Sequence, residues 1–239
     1  TDDSLALQKA IEVAISLDLD LEIDGRVYIT RMINIEREVD GAKFNRYFKI
    51  FSKSGGRFYT DKNIPLFGSA RNYTANPLSQ LIHFQNVGFE GVSGKLDCFV
   101  MDKGVFLRTM FSFCDFERIK LAYVPAPYYT QSVRLIGCNA RRYEGVFFNS
   151  PNINFDFHIS AGCIFEAGGG VIDLGLPVGC SVTDSVLEGQ TGTAIKYRAS
   201  RGLHIAGNYF EDNKVADIDG SGSIGQYATE SVSIIGNYI

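Results

Sequence analysis

Six glutamates recur at a near-constant spacing. Glu90, Glu117, Glu144, Glu166, Glu188 and Glu211 are separated by 27, 27, 22, 22 and 23 residues. Each follows an apolar or aromatic residue, in the order Phe89, Phe116, Tyr143, Phe165, Leu187 and Phe210. Side chains alternate across an extended chain, so a glutamate after a buried residue faces outward. Carboxylates on neighbouring strands raise one another's pKa, which lets one stay protonated as a general acid beside an ionised partner. Glycosidic cleavage uses such a pair: adjacent strands approach the separation of a retaining mechanism, and a skipped strand that of an inverting one. A solvated ladder has the same appearance, because like charges about 5 Å apart in water repel by only about 0.8 kcal/mol.

A second alternation follows most of the glutamates, in GGVIDL (Gly169 to Leu174), TAIKY (Thr193 to Tyr197) and VADID (Val215 to Asp219). It reads as another outward column of Asp173, Lys196 and Asp217. Lys196, Arg198 and Arg201 offer charge neutralisation for an acidic sugar, and one of these cations, or Tyr197, offers a base for elimination or epimerisation. A solvated cationic face is the competing reading. Tyr128 and Tyr129, in PAPYYTQ, occupy a loop where rings either stack on sugars or pack locally. His83 and His204 share an outward position in matching repeats, and with His158 they read as surface histidines rather than metal ligands. No metal or cofactor site is read, and the chain order shows no Ser-His-Asp pattern, phosphate loop or nucleophile elbow.

The elements that must carry these residues are short strands. Residues 4 to 17 place Leu7, Ile11, Ala14 and Ile15 on one helical face, with Thr1, Asp2, Asp3 and Ser4 as N-cap candidates. Beyond that helix the periodicity is two, in LDLEIDG and RVYITRMINI, punctuated by turns such as SGG, GGG and GSGS. Four segments share the pattern apolar-x-apolar-x4-apolar: Ile82/Phe84/Phe89, Cys180/Val182/Leu187, Leu203/Ile205/Phe210 and Val232/Ile234/Ile239. A strand-turn-strand unit of 22 to 27 residues cannot bury its own apolar face, so it stacks on copies of itself. The expected fold is therefore all-β: a single-stranded parallel β-helix, or solenoid, with an N-terminal capping α-helix. The whole of 1–239 reads as one domain, with the helix in 1–18, irregular rungs in 19–80 and regular rungs in 81–239. Asn208 and Asn237, in the repeated GNY, occupy equivalent turns and bond to neighbouring rungs. The abrupt start and the end within a repeat read as a piece of a longer chain.

Composition narrows the class. Net charge is −4 and no basic stretch tracks a phosphate backbone, so nucleic acid is not an expected partner. No run of about 18 apolar residues is present, so no membrane insertion is expected. Five cysteines without CxxC spacing read as free, mostly buried thiols.

The DDS lead into an amphipathic helix, the GRVYIT strand and rungs of the form IxGNxFExN resemble the pectate-lyase-like β-helix proteins, particularly phage tailspike depolymerases. The resemblance implies a right-handed coil, a homotrimer, a place on the virion tail (or, alternatively, secretion) and action on bacterial surface polysaccharide. It also implies a substrate groove along the second alternation and the turn before it. Glu166, Glu188, Glu211, Asp173 and Asp217 are then the catalytic candidates, and Lys196, Arg198, Tyr197, Tyr128 and Tyr129 the substrate-binding ones. Glycoside hydrolysis is expected first, a lyase or epimerase of acidic polysaccharide second, and a non-catalytic adhesin or structural coil third.

Overall fold

The computed structural model describes residues 2–35, 48–68, 82–100, 106–125, 128–221 and 229–239. Thr1, stretches 36–47 and 69–81 and the Ser223 end of the GSGS turn lie outside them. Among the described residues the chain is a parallel β-solenoid with one helix, Ser4–Ser16. Every strand pairs in parallel with its counterpart one coil before or after. Eight strands stack into one sheet, from Arg26–Tyr28 to Tyr209–Glu211. The other sheet has fifteen strands and bends along an edge, because Val146–Ser160 and Gly170–Thr183 run continuously around the corner. The coil thus has three faces. We call them the glutamate face (the eight-stranded sheet), the groove face (Asp97–Val100, Lys120–Tyr123, the first halves of the two long strands, Ile195–Tyr197) and the histidine face (Ile82–Gln85, Thr130–Ile136, the second halves, Ser200–Ala206).

Stacking sets inward side chains in columns. Phe84, Phe111, Leu135, Ile159, Val182, Ile205 and Ile234 form one. Phe58, Phe89, Phe116, Ala140, Phe165, Leu187 and Phe210 form another. Rings stack along both, with Phe89 and Phe116 centroids 4.8 Å apart and Phe84 and Phe111 5.4 Å apart. Each buried ring contributes roughly 1.5–3 kcal/mol, and stacking adds about 0.5–1.5 kcal/mol.

The second column corrects the repeat alignment at one rung. Ala140, not Tyr143, stands between Phe116 and Phe165, and Arg141, not Glu144, takes the outward place beside it. Tyr143 is still buried, entering from the corner to meet Phe147 at 5.3 Å and donating its hydroxyl to Gln190 Oε1 at 2.9 Å. Its ring lies where a side chain on Gly168 would be, which explains a glycine at that position of GGG.

After bends of three residues at 23–25 and five at 52–56, the bend from the histidine face to the glutamate face is two residues long at 86–87, 113–114, 137–138, 184–185, 207–208 and 236–237, and three at 161–163. Its first residue takes a left-handed conformation, as at Phe113, Gly137, Asp184, Gly207 and Gly236. Its last points inward and bonds along the stack. The glycines of GNY therefore carry the unusual backbone angle, and the asparagines carry the bonds. Asn208 Nδ2 donates to Val182 O at 2.8 Å and to Asn237 Oδ1 at 3.0 Å, and its Oδ1 accepts from Ser185 N at 3.1 Å. Cys163, Cys138 and Cys114 continue the same column, with Cys138 N donating to Cys163 Sγ at 3.2 Å. All five cysteines are free and buried. Burial pushes the Cys180 thiol up to about 11 and raises Cys138 further, so neither forms a thiolate at neutral pH.

The helix closes the first coil by hydrogen bonds as well as by its apolar face. Leu7, Ile11 and Ala14 are buried and Ile15 packs partly against the core. Asp3 N donates to Tyr28 O at 2.9 Å, Ser4 Oγ accepts from Thr30 N at 2.9 Å, and Gln8 exchanges two bonds with the backbone of Asn34. Strand edges that would otherwise be open are thereby satisfied. Asp2 rather than the N-cap Asp3 caps the first turn, accepting from Ser4 N at 3.0 Å.

Candidate functional site

Five of the six recurring glutamates share one outward column: Glu90, Glu117, Glu166, Glu188 and Glu211, with Arg141 in the middle. The column divides chemically at that arginine. Glu90 accepts from Arg26 at 3.1 Å and Arg118 at 2.9 Å and lies 3.5 Å from Arg57. Glu117 lies 2.8 Å from Arg142 and 3.9 Å from both Arg118 and Arg141. Those two carboxylates, only 13% and 10% exposed, are enclosed by guanidinium groups and serve the structure. Glu166, Glu188 and Glu211 have no ion pair among the described residues. Glu211 accepts a hydrogen bond from Tyr209 Oη at 3.0 Å.

The groove face carries the denser site. A groove of about 530 Å³ is lined by Asp97, Lys120, Ala122, Tyr123, Gly145, Val146 and Asn149. Three successive coils supply these residues: Asp97 is the register partner of Lys120, and Tyr123 that of Asn149. Asp97 Oδ1 lies 3.2 Å from Lys120 Nζ, in an ion pair about 20% exposed on each side and not aligned as a hydrogen bond. Burial raises the Asp97 carboxyl above its usual range against the opposing pull of Lys120. The Tyr123 ring is exposed. Asp173 follows Asn149 on the next coil, where Arg198 holds it through Nη2 to Oδ2 at 3.2 Å. A second approach, Nη1 to Oδ1 at 3.0 Å, is misaligned. The Oδ1 atoms of Asp97, Asn149 and Asp173 are consequently buried acceptors without a hydrogen-bond donor. Asn149 Oδ1, with no cation beside it, costs about 1–3 kcal/mol unless a ligand or water supplies the donor, whereas Lys120 and Arg198 partly offset the Oδ1 atoms of Asp97 and Asp173. An exposed ring beside a row of unfilled acceptors suits a ligand rich in hydroxyl groups. A hollow of about 290 Å³ between the helix and the first coil, lined mainly by Ala6, Leu7, Ala10, Leu21 and Val27, offers less chemistry.

Neither a family model nor a curated relative matches the chain. A solved structure does: the tailspike protein of the Acinetobacter phage vB_ApiP_P1, with a TM-score of 0.51 at 13% sequence identity. The coil is similar to a phage tailspike. The match covers 99% of this chain and 56% of that one, so the chain spans little more than half the length of the tailspike it resembles. At this identity the likeness is one of fold.

The remaining expected residues fall in different places on this tailspike-like coil. Asp173 and Lys196 are register partners on the groove face, but the next in line is Asp219, not Asp217. Asp217 and Asp219 lie on the same side of the alternation in VADID, which therefore fits two registers two residues apart; the strand begins at Ile218, and Asp217 lies at the corner, where its Oδ1 accepts from Asn213 Nδ2 at 2.7 Å. The Glu166 strand ends before the corner that leads to Asp173, so the five proposed acids are split between two faces. Tyr197 is buried, with its hydroxyl over Gly220, and is not available to a ligand. Tyr128 packs against the core, and Tyr129 meets Phe155 edge-on at 6.0 Å. Arg201 lies 4.0 Å from Glu230. All three histidines share one outward column, His158 joining His83 and His204. Asp97, Lys120, Tyr123 and Asn149 had no repeat to mark them. The one available signal was polar residues at outward positions of otherwise apolar strands. Among the described residues, no cluster of three or more His, Cys, Asp or Glu side chains is placed to hold a metal, and no helix is long and apolar enough to cross a membrane.

Proposed function

We propose that the chain is the polysaccharide-binding and polysaccharide-cleaving coil of a tailspike-like protein, carried on a phage tail as part of a homotrimer and acting on a bacterial surface glycan. The groove face is its substrate site. The observation that carries this reading is the row of buried, unfilled acceptors on Asp97, Asn149 and Asp173 beside the exposed Tyr123 ring. Sugar hydroxyls supply donors to such acceptors, and a sugar's apolar face covers a tyrosine ring. The row follows the coil axis, as an extended chain would.

Cleavage by hydrolysis needs an acid that is still protonated near neutral pH and a second carboxylate across the scissile bond. Asp97 is the candidate for the acid: it lines the groove, and burial raises its carboxyl against the opposing pull of Lys120. Glu144, displaced from the glutamate column, sits on the corner next to the groove-lining Gly145 and pairs with Lys95 at 3.6 Å, so it is the second carboxylate at the rim. Arg198 is engaged by Asp173, which argues against it as the base of a lyase. A second reading keeps Glu166 and Glu188 on the glutamate face as the reacting pair. Their lack of cationic partners, unlike Glu90 and Glu117, favours it.

The deciding experiment incubates the full-length protein with a panel of capsular and O-antigen polysaccharides. New reducing ends mark hydrolysis, absorbance near roughly 235 nm marks an unsaturated lyase product, and binding without either marks an adhesin. On the cleaved glycan, Asp97→Asn is expected to lower turnover by about 100-fold or more, and Tyr123→Ala to weaken binding by about 2- to 10-fold. Unchanged turnover in Asp97→Asn together with loss in Glu166→Gln or Glu188→Gln moves the site to the glutamate face.

A further inference from the structure

On the histidine face, away from both sites above, three side chains form a continuous hydrogen-bonded chain. Asp156 Oδ1 lies 2.5 Å from His158 Nε2, and His158 Nδ1 lies 2.7 Å from Ser181 Oγ. His158 and Ser181 are register partners on adjacent coils, so the stack itself sets their approach. Arg134, the register partner of His158 on the other side, bonds Asp156 Oδ2 at 3.2 Å. His204 is the partner of Ser181 on the following coil and is exposed. All three members of the chain are partly open to solvent.

We propose that Asp156, His158 and Ser181 are a second catalytic site, a serine hydrolase centre for carboxylic esters. Carboxylate, imidazole and hydroxyl in this order are what acyl transfer to serine requires, and the arrangement is recognised by geometry rather than chain order. The imidazole is turned relative to the usual arrangement, with Nε2 on the acid and Nδ1 on the hydroxyl. The relay is preserved, because the carboxylate holds the proton on the nitrogen it meets and leaves the other lone pair facing serine. Partial burial pushes the Asp156 carboxyl upward, but bonds from His158, Ser132 and Arg134 outweigh it and keep the group ionised. His83 and Ser112 supply an internal contrast in the same face: their bond is 2.6 Å long, and Asp20 acts on the ring only as a minor charge behind burial and Lys49.

The reaction balances with water alone. Ser181 Oγ adds to the ester carbonyl as its proton passes to His158 Nδ1. The carbon–oxygen bond to the alcohol then breaks, and the alcohol leaves with that proton. Water attacks the acyl-serine with His158 again as base, releasing the carboxylic acid and restoring Ser181. His204, the register partner of Ser181 on the next strand, is the candidate N–H donor to the developing oxyanion. The three groups are partly exposed on the outer surface of a sheet, so they suit an ester projecting from a long polymer. O-acyl groups on a glycan are the substrate class. Only this choice of carrier rests on the polysaccharide reading; the ester chemistry does not.

The test uses the full-length protein with 4-nitrophenyl acetate as substrate and diisopropyl fluorophosphate as covalent probe. Expected are a burst of 4-nitrophenolate and, with fluoride released, a diisopropylphosphorylated peptide containing Ser181. Ser181→Ala and, as a second variant, His158→Gln should each lower kcat/KM by about 100-fold or more, while His83→Gln leaves it unchanged. Asp156 acts through His158, so Asp156→Asn should lower kcat at unchanged KM, and Asp156→Glu should restore part of it. Glycan depolymerisation by Ser181→Ala should match the wild type, which separates this proposal from the groove-face reading. No hydrolysis by the wild type, a label on another residue, or full activity in Ser181→Ala each overturns it.

Discussion

One column of glutamates should respond to the same substitution with opposite signs. Glu117→Gln removes the charge that Arg142 meets at 2.8 Å and that Arg118 and Arg141 face at 3.9 Å. These are ion pairs without hydrogen-bond alignment, and the partial exposure of the arginines holds the expected loss to about 1 kcal/mol. Glu188→Gln does the reverse. Glu188 lies between Glu166 and Glu211 on adjacent strands, none of the three in an ion pair among the described residues, and the nearest cation of the column, Arg141, stands beyond Glu166. Two like charges about 5 Å away in water contribute about 0.8 kcal/mol each, so neutralising Glu188 stabilises the fold by at most about 1.5 kcal/mol at low salt. Near physiological salt, with a screening length of about 8 Å, roughly half of that remains. Equilibrium urea denaturation at about 20 mM and 500 mM sodium chloride measures both. Loss of stability in both variants, or a Glu188→Gln gain that salt leaves unchanged, would refute the division of the column into an enclosed half and an open one.

Two further perturbations probe the frame. Asn208→Ala strips donors and an acceptor from a corner where Asn208 is 1% exposed, orphaning Ser185 N–H and Val182 C=O; the cost should be about 2–4 kcal/mol, with faster amide hydrogen exchange at Ser185. His83 is half-buried, and burial, followed by Lys49, lowers its pKa below the usual 6.5. The unfolded chain therefore binds this proton more readily, so stability is lost as pH falls below about 6.5, and His83→Gln should flatten the melting-temperature profile from there down to about pH 5.

The parts of this fold legible in the sequence are those that repeat locally. The pattern apolar-x-apolar-x4-apolar marked Phe84, Val182 and Ile205 as one column because the bend after each strand has constant length. It failed at Ala140, whose small side chain carries no hydrophobic signal, while Tyr143 three residues on imitated the missing aromatic. The groove was not legible, since Asp97, Lys120, Tyr123 and Asn149 come from three coils whose connections differ in length. The relay of Asp156, His158 and Ser181 was hidden for the same reason. No chain-order pattern announces a serine that meets its histidine only through strand register.

The unequal lengths of the corners have a consequence for how such a coil can change. Connections from the glutamate face to the groove face run from 118–119 to 91–96 and 212–217, and they send side chains such as Ile119, Tyr143 and Gln190 into the interior. The bend at 161–163 absorbs its extra residue in a second left-handed position, Gly162, so that Phe165 still faces inward. Length can thus change at either corner provided that the residues entering the core keep their places, which leaves the exposed rim of the groove as the edge that insertion can recut.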